Sequence, residues 1–297
     1  MTRLRNAILA VATLLLLTAS PAAAITYGTR DYETHPYVGF TIFFVPSEES
    51  WFSCSGTLLA PTVFLTAGHC TVDIGTNGAD TGSRSGGTDV WVTFRDHDVL
   101  GGWPQRADYP DVASLYAARS SWLNDPAHGF IRGTSHPDPA YDDFAEFPVD
   151  NDLGIVTLST PAPVDEFGVL APLGTVDRMA AKASTRNDAL LQTVGYGDRN
   201  LPRQTEDATR YWSTSRIVEV NGHASQGGNL HTLNNISPIG GTGGSCFGDS
   251  GGPLFVNTTN QIVSVVSFGY SGTCHGADYS WRVDIPSSRA FIESWLR

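Results

Sequence analysis

Positive charge is scarce in this sequence. Lys182 is the only lysine, and lysine and arginine together number 18 against 30 aspartate and glutamate residues, which gives a formal net charge of −12. Nucleic-acid binding requires clustered lysine and arginine side chains that neutralise phosphates. The charge balance therefore argues against a nucleic-acid partner.

Long apolar runs are absent as well. A membrane-spanning helix needs about 20 apolar residues, and the best candidate, residues 7–19, is shorter. This run follows Arg3 and Arg5 and precedes three alanines that end at Ala24, a pattern typical of a secretory signal peptide. We predict that residues 1–24 are removed and that residues 25–297 are secreted without a membrane anchor. An uncleaved anchor is the alternative.

Cysteine is limited to four residues, namely Cys54, Cys70, Cys246 and Cys274. They form no Cys-x-x-Cys pair and no zinc-type spacing, so we expect neither a metal nor another cofactor. Disulfides persist in the oxidising compartments that secreted proteins reach. Four cysteines can pair in three ways, and the spacing alone does not choose among them.

The remaining pattern is that of an all-β protein. Hydrophobic residues make up 41% of the chain, enough for a sizeable core. Short β-type runs, separated by turn residues, predict a sandwich or barrel. They lie at 37–45, 63–66, 90–94, 154–158, 191–194, 261–268 and 279–283. Only the C-terminus has a helical pattern, while 76–88 and 96–141 are predicted loops, the second with a short helix near 112–119.

Three local motifs carry residues suited to acyl transfer. His69 lies in Thr-Ala-Gly-His-Cys, Asp152 precedes an apolar strand, and Ser250 lies in Gly-Asp-Ser-Gly-Gly-Pro. A serine hydroxyl needs a neighbouring base, and histidine has a suitable pKa. A carboxylate then orients the imidazole, and backbone N–H groups stabilise the oxyanion. The order His, Asp, Ser is a known order for this triad.

These motifs resemble those of the chymotrypsin/trypsin-like serine endopeptidases, and the resemblance covers essentially residues 25–297. It implies two packed six-stranded antiparallel β-barrels with the site between them. The first barrel would span about 25–165 and the second about 166–285, followed by a C-terminal helix at about 287–297. His69, Asp152 and Ser250 would then cleave peptide bonds through an acyl-enzyme, acting on protein or peptide substrates.

The resemblance also implies roles for other residues. Cys54 would pair with Cys70, and Cys246 with Cys274. Gly248 and Ser250 would supply the oxyanion-hole N–H groups. The segment Ser267, Phe268 and Gly269 would pair with the substrate backbone as an added strand.

Activation in that family depends on a new N-terminus. Cleavage after Ala24 would start the mature chain at Ile25, whose ammonium would pair with the buried carboxylate of Asp249. The hypothesis is that signal peptidase itself creates this amine. An unpartnered buried carboxylate would be costly, which makes the pair a testable requirement.

Specificity is left open by the sequence. By the resemblance, the floor of the specificity pocket would be Gly244, which is followed by Ser245. Trypsins have aspartate at the position of Gly244, so a glycine there favours a neutral pocket. A second candidate for the floor lies in Ala277-Asp278-Tyr279. An inward Asp278 would select a basic side chain, and an inward Ala277 would leave a neutral pocket for aromatic or aliphatic side chains. Asp278 solvated on the surface is the remaining alternative. The long segment between His69 and Asp152 either restricts access to the cleft or forms plain surface, and the tolerance of loops for insertions favours surface.

Two other functions were weighed against this one. The Gly-x-Ser-x-Gly pattern at Ser250 also occurs in lipases and esterases, but those enzymes place Asp and His after the serine, and only His275 follows here. A non-catalytic binding protein on the same scaffold is the other alternative, although such relatives usually lack a triad residue. We expect a monomer that meets protein substrates and possible proteinaceous inhibitors.

Overall fold

The structure is a computed structural model that describes residues 25–181, 190–198, 208–220, 222, 226–234 and 243–297. The signal peptide predicted for 1–24 lies outside the described residues, as does Lys182.

The first barrel closes in the strand order β2-β3-β4-β7-β6-β5, with every neighbouring pair antiparallel. Its strands are β2 (Val38–Val45), β3 (Ser50–Ala60), β4 (Val63–Thr66), β5 (Val90–Thr93), β6 (Ile131–Pro137) and β7 (Gly154–Leu158). Aromatic and β-branched residues fill this barrel because they fit a pleated surface. Phe40, Phe64 and Leu65 are among its fully or almost fully buried side chains.

The second barrel also has six strands, which close in the order β9-β10-β11-β14-β13-β12. They are β9 (Leu190–Gly195), β10 (Tyr211–Glu219), β11 (Asn229–Asn234), β12 (Pro253–Val256), β13 (Gln261–Gly269) and β14 (Gly276–Arg282). Two short strands extend this sheet: β1 (Thr29–Arg30) pairs with β10, and β8 (Val169–Leu170) pairs with β13. The predicted all-β class with two six-stranded barrels is confirmed.

Three boundaries differ from the sequence-based expectation. The segment around β1 pairs with the second barrel, although the first barrel was expected to start near residue 25. The predicted loop at 96–141 contains the strand β6, and the short helix expected near 112–119 is present as a 12-residue helix, α1 (Val112–Leu123), which Asp111 and Ser114 cap reciprocally. The C-terminal helix, α3 (Pro286–Glu293), begins one residue earlier and ends four residues sooner than expected.

Three α-helices occur in the part of the chain that the structure describes. Besides α1 and α3 there is α2 (Thr175–Ala181), which follows β8. Among the described residues, no helix combines the length and the apolar character needed to cross a membrane.

A buried polar network joins the two barrels. Arg210, which precedes β10, donates from Nε to Asp31 Oδ2 at 2.7 Å and from Nη1 to the carbonyl of Val38 in β2 at 2.9 Å. Asp31 also contacts His35 Nδ1 at 2.5 Å. Burial alone would raise the pKa of Asp31, but His35 and Arg210 outweigh burial and lower it. The charged groups therefore stabilise one another between the barrels that form the cleft.

Candidate active site

Strand pairing brings His69 and Asp152 together. β4 ends at Thr66, which pairs with Gly154 of β7, so the turn after β4 and the residues before β7 lie side by side. The backbone N–H of His69 donates to Asp152 Oδ1 at 2.9 Å, and His69 Nδ1 contacts Asp152 Oδ2 at 2.9 Å. With the proton on Nδ1, Nε2 is left as the basic nitrogen.

A third hydrogen bond reaches Asp152 from the other barrel. The Ser267 hydroxyl in β13 donates to Asp152 Oδ2 at 2.5 Å. Burial by itself would raise the pKa of Asp152, but His69 and Ser267 outweigh burial, so the pKa lies below its ordinary value. For His69, burial would lower the pKa, but the Asp152 carboxylate outweighs burial and raises it. Asp152 is therefore a fixed negative charge that orients the imidazole.

The loop that carries Ser250 lies against the turn that carries His69. Gly251 has φ +77°, and a Cβ at this position would collide with Thr66 Oγ1 and lie 2.6 Å from the backbone nitrogen of Ala67. The Ser250 carbonyl accepts a hydrogen bond from Ser55 N at 2.8 Å. Glycine at 251 is thus required for the close approach of these two segments.

Ser250 forms part of the wall of a cavity of about 240 Å³, which is lined by residues of the second barrel and its loops. Other lining residues include Ser245, Cys246, Val266, Ser267, Phe268, Gly269 and Asp278. Within the described part of the chain, no hydrogen bond links the Ser250 hydroxyl to His69. Nucleophile–base contacts are often long before substrate binds, so this contact belongs to the proposal below.

The segment before Ser250 contains a glycine in the left-handed region of backbone conformation. Gly248 has φ +94°, and its carbonyl accepts a hydrogen bond from the Ser55 hydroxyl at 2.9 Å. The N–H groups of Gly248 and Ser250 donate to no other group in the ranges that the structure covers. They are accordingly available to a ligand.

Asp278 faces this cavity and is not solvated on the surface. Its Oδ2 accepts hydrogen bonds from Ser245 N at 2.7 Å and Ser245 Oγ at 2.8 Å, and its Oδ1 accepts one from Asn234 Nδ2 at 3.1 Å. Burial raises the pKa of Asp278 to about 6, despite these hydrogen bonds. Gly244, the expected floor, lies outside the cavity lining and packs against Asn234 and Thr26.

Asp249 is fully buried, and its carboxylate accepts hydrogen bonds from Gly197 N at 2.8 Å and Cys246 N at 2.9 Å. Burial raises the pKa of Asp249 to about 7, with Asp278 adding to the effect. In the residues described, no cation pairs with it. Ile25 is buried but still joined to residue 24 by a peptide bond, so the structure does not bring Ile25 and Asp249 into an ion pair.

Sequence reasoning missed several residues near the site. The rings of Phe144 and Phe268 lie 5.7 Å apart, and Phe144 is also 6.3 Å from the ring of His69. Asp150 is buried, accepts a hydrogen bond from Asn229 Nδ2 at 2.9 Å, and has its pKa raised to about 6 by burial. The only feature of the sequence that could have pointed to Asp150 as a residue near the site is its position two residues before Asp152.

Both expected disulfides are present. Cys54–Cys70 ties β3 to the turn that contains His69, and Cys246–Cys274 ties the Ser250 loop to the residues before β14. Each disulfide therefore fastens one of these segments to its own barrel.

Solved structures with the same fold come from several proteins. HL collagenase matches with a TM-score of 0.58 and 16% identity over 92% of this chain and 98% of its own. Neuropsin from mouse brain matches with a TM-score of 0.57 and 17% identity over 91% and 99%. Human heparin binding protein matches with a TM-score of 0.58 and 16% identity over 92% and 96%. These structures define the class of the fold, that of the chymotrypsin-like proteins.

The family follows from the sequence comparisons. The family model named Trypsin matches residues 31–292, and the chain therefore belongs to the trypsin family. A curated relative, phenoloxidase-activating enzyme 1 of Spodoptera litura, is 25% identical over 250 residues, which cover 81% of this chain. The match covers only 58% of that relative's length.

Proposed function

We propose that this protein is a secreted serine endopeptidase whose catalytic residues are Ser250, His69 and Asp152. One observation carries the proposal: the fully buried Asp152 holds Nδ1 of His69 and accepts a hydrogen bond from Ser267, which lines the same cavity as Ser250. The trypsin family supports a protease function, and members of this class act on protein or peptide substrates.

Each of the three residues has a distinct step in the reaction. Ser250 Oγ attacks the carbonyl carbon of the scissile peptide, and its proton passes to Nε2 of His69. The C–N bond breaks, His69 gives the proton to the leaving nitrogen, and the acyl group remains on Ser250 as an ester. Water then attacks this ester, with His69 taking its proton and returning one to Ser250, and a carboxylic acid is released.

Two features stabilise charge along this path. The N–H groups of Gly248 and Ser250 would bind the oxyanion of each tetrahedral intermediate. Asp152 remains ionised throughout and stabilises the imidazolium form of His69, in agreement with the direction of both pKa shifts.

Labelling with a fluorophosphonate tests this assignment directly. The probe should modify Ser250 in the secreted protein, and His69→Ala should slow labelling by several orders of magnitude because the hydroxyl then lacks a base. Ser250→Ala is the control for specificity. Equal labelling with and without His69 would refute the triad and favour a non-catalytic binding protein.

The cavity supports a preference for arginine or lysine before the scissile bond. The Asp278 carboxylate lies on the cavity wall, and a Cβ added to Gly269 would be 3.5 Å from its Oδ1. Gly244 suggested a neutral pocket, but it does not line this cavity, and Asp278 does. We therefore favour a pocket that binds a basic side chain. Cleavage of a mixed peptide library should therefore show basic residues at this position, and a strict aromatic or aliphatic preference would contradict it.

Activation is proposed to follow export. Removal of residues 1–24 would free the ammonium of Ile25 to pair with Asp249, whose carboxylate is buried without a cation among the described residues. N-terminal sequencing should give Ile25 as the first residue of the secreted protein. Another first residue would contradict this part of the proposal, as would full activity in Asp249→Asn. We further propose a monomer that protein inhibitors block at the same cleft.

A further inference from the structure

A second and larger cavity, of about 770 Å³, adjoins the cavity that contains Ser250. Phe247 lines both cavities, and Gly248 belongs to the wall of the larger one. If the acyl side of a peptide substrate occupies the smaller cavity, the substrate residues after the scissile bond must extend to the other side of Ser250. The larger cavity adjoins this side, since Gly248 is part of its wall.

Two segments of the first barrel form most of the wall of this cleft, and Tyr196, Asp198, Ala208, Phe247 and Gly248 on the side of the second barrel line the rest. The first segment is the β2–β3 hairpin. The second is the segment between β5 and β6, which was expected to be plain surface. The hairpin contributes Phe40, Ile42, Trp51, Phe52 and Ser53, and the segment contributes Leu100, Trp103, Gln105, Arg106 and Arg119.

Aromatic packing fixes the second wall in place. The ring of Trp103 lies 5.6 Å from that of Trp51 and 5.3 Å from that of Trp122 in α1, edge to face in both cases. The guanidinium of Arg119 lies 4.7 Å from the centre of the Trp103 ring, and its Nε donates to the Pro104 carbonyl at 3.0 Å. These contacts fix the position of the Trp103 side chain in the wall of the cleft.

Among the described residues, the charged groups that line the cleft are two arginines and one aspartate, in a chain whose net charge is −12. Arg106 is exposed, and its Nη1 donates to the Tyr109 carbonyl at 2.7 Å. Among the described residues no carboxylate forms an ion pair with Arg106, although its charge adds to the hydrogen bonds from Ser114 in lowering the pKa of the exposed Asp111. A guanidinium in this position suits a carboxylate ligand.

We propose that this cleft binds the leaving-group side of the substrate and selects an aromatic residue followed by aspartate or glutamate. The aromatic side chain would pack against Trp103 and Phe52, and the carboxylate would bind Arg106. The inference rests on the proposed peptidase function. These contacts act on acylation only, because the leaving group has departed before water attacks the ester.

The test uses the secreted protein and four quenched fluorescent peptides with the same acyl side, ending in arginine. Their leaving-group sides begin Phe-Asp, Phe-Asn, Ala-Asp or Ala-Asn. An arginine anilide, which has no residue on this side, reports the basal activity. We expect kcat/KM for the Phe-Asp peptide to exceed that for Ala-Asn by roughly tenfold or more, since one pocket contact typically discriminates by about that factor.

Variants assign this preference to residues. Arg106→Gln should remove the preference for Asp over Asn, measured as the ratio of kcat/KM for the Phe-Asp and Phe-Asn peptides. Arg95→Gln is a matched control, since Arg95 is also exposed and donates to one backbone carbonyl, that of His128, outside the cleft. Trp103→Leu should reduce the preference for Phe over Ala. Equal kcat/KM for all four peptides, or equal effects of Arg106→Gln and Arg95→Gln, would overturn the proposal.

A binding measurement separates failure of this inference from failure of the proposed function. Ser250→Ala protein is titrated with a fluorescein-labelled peptide that begins Phe-Asp, and with its Phe-Asn counterpart. Tighter binding of the Phe-Asp peptide, lost in Arg106→Gln, supports the cleft even if the unaltered protein cleaves nothing. Equal affinity for the two peptides contradicts the cleft even if the protein is an active peptidase.

Discussion

Replacing Asp278 by asparagine removes one negative charge from the cavity wall and leaves the size of the side chain almost unchanged. In the unaltered protein this carboxylate accepts hydrogen bonds from Ser245 at 2.7 and 2.8 Å and from Asn234 at 3.1 Å. With a pKa raised to about 6, it is ionised at neutral pH and able to bind a cation.

The size of the effect follows from the interaction that is lost. A hydrogen bond to a charged group contributes about 1.5–3 kcal/mol. The kcat/KM for a substrate with arginine before the scissile bond should therefore fall roughly 10- to 150-fold in Asp278→Asn. A matched substrate with leucine should change by less than about threefold, because it makes no ionic contact with the cavity wall.

The assay is the ratio of kcat/KM for the arginine and leucine substrates, measured from pH 5 to 8. Protonation of His69 affects both substrates equally and cancels in the ratio. Asp278 is charged only above its pKa of about 6, so the ratio should rise with pH through that value in the unaltered protein. In Asp278→Asn the ratio should be low and flat. A ratio that is unchanged by the substitution would refute the reasoning.

Three further predictions concern stability and local geometry. Arg210→Ala should lower the free energy of unfolding by roughly 3–5 kcal/mol in urea titrations, because it leaves Asp31 buried without its guanidinium. Gly251→Ala should abolish peptide cleavage and labelling, since the added Cβ collides with Thr66 Oγ1 and the φ of +77° is strained. In a chain that retains residues 1–24, stability should fall as pH rises from about 4 to 7. The folded state holds a proton on Asp249 that the unfolded state releases near pH 3.8, and Asp249→Asn should flatten this slope.

Controls keep these outcomes interpretable. Arg95→Ala removes an exposed arginine and should change the free energy of unfolding by less than about 0.5 kcal/mol. An Arg210→Ala protein as stable as this control would contradict the structural role of the network. Full activity in Gly251→Ala would contradict the close approach of the two loops, and an unchanged pH slope in Asp249→Asn would contradict the assignment of the proton.

Local motifs made part of the site predictable. His69 and Asp152 each lie next to a β-run visible in the sequence, and the pairing of Thr66 with Gly154 then brings them together. Gly251 belongs to the motif around Ser250, and the structure supplies the reason for the glycine there, namely a positive φ and a close approach. The two-barrel fold was obtained from the resemblance, whereas the residue pattern alone indicated only a sandwich or barrel.

Contacts between distant segments were not predictable in the same way. The hydrogen bond from Ser267 to Asp152 spans 115 residues, and the pair of Arg210 with Asp31 spans 179. The inward position of Asp278 depends on strand register, and a shift of one residue reverses the face of a side chain. The helix α1 gave only a weak local signal, and its packing against Trp51 depends on tertiary structure that no spacing records.

The most direct test of the account is to trap the acyl-enzyme. The secreted protein is mixed rapidly with a p-nitrophenyl ester, quenched in acid, and analysed by intact mass and peptide mapping. The account predicts a burst of p-nitrophenol close to one equivalent and an acyl group on Ser250, with neither in Ser250→Ala. Steady hydrolysis without a burst or adduct, or an acyl group on another residue, would contradict it.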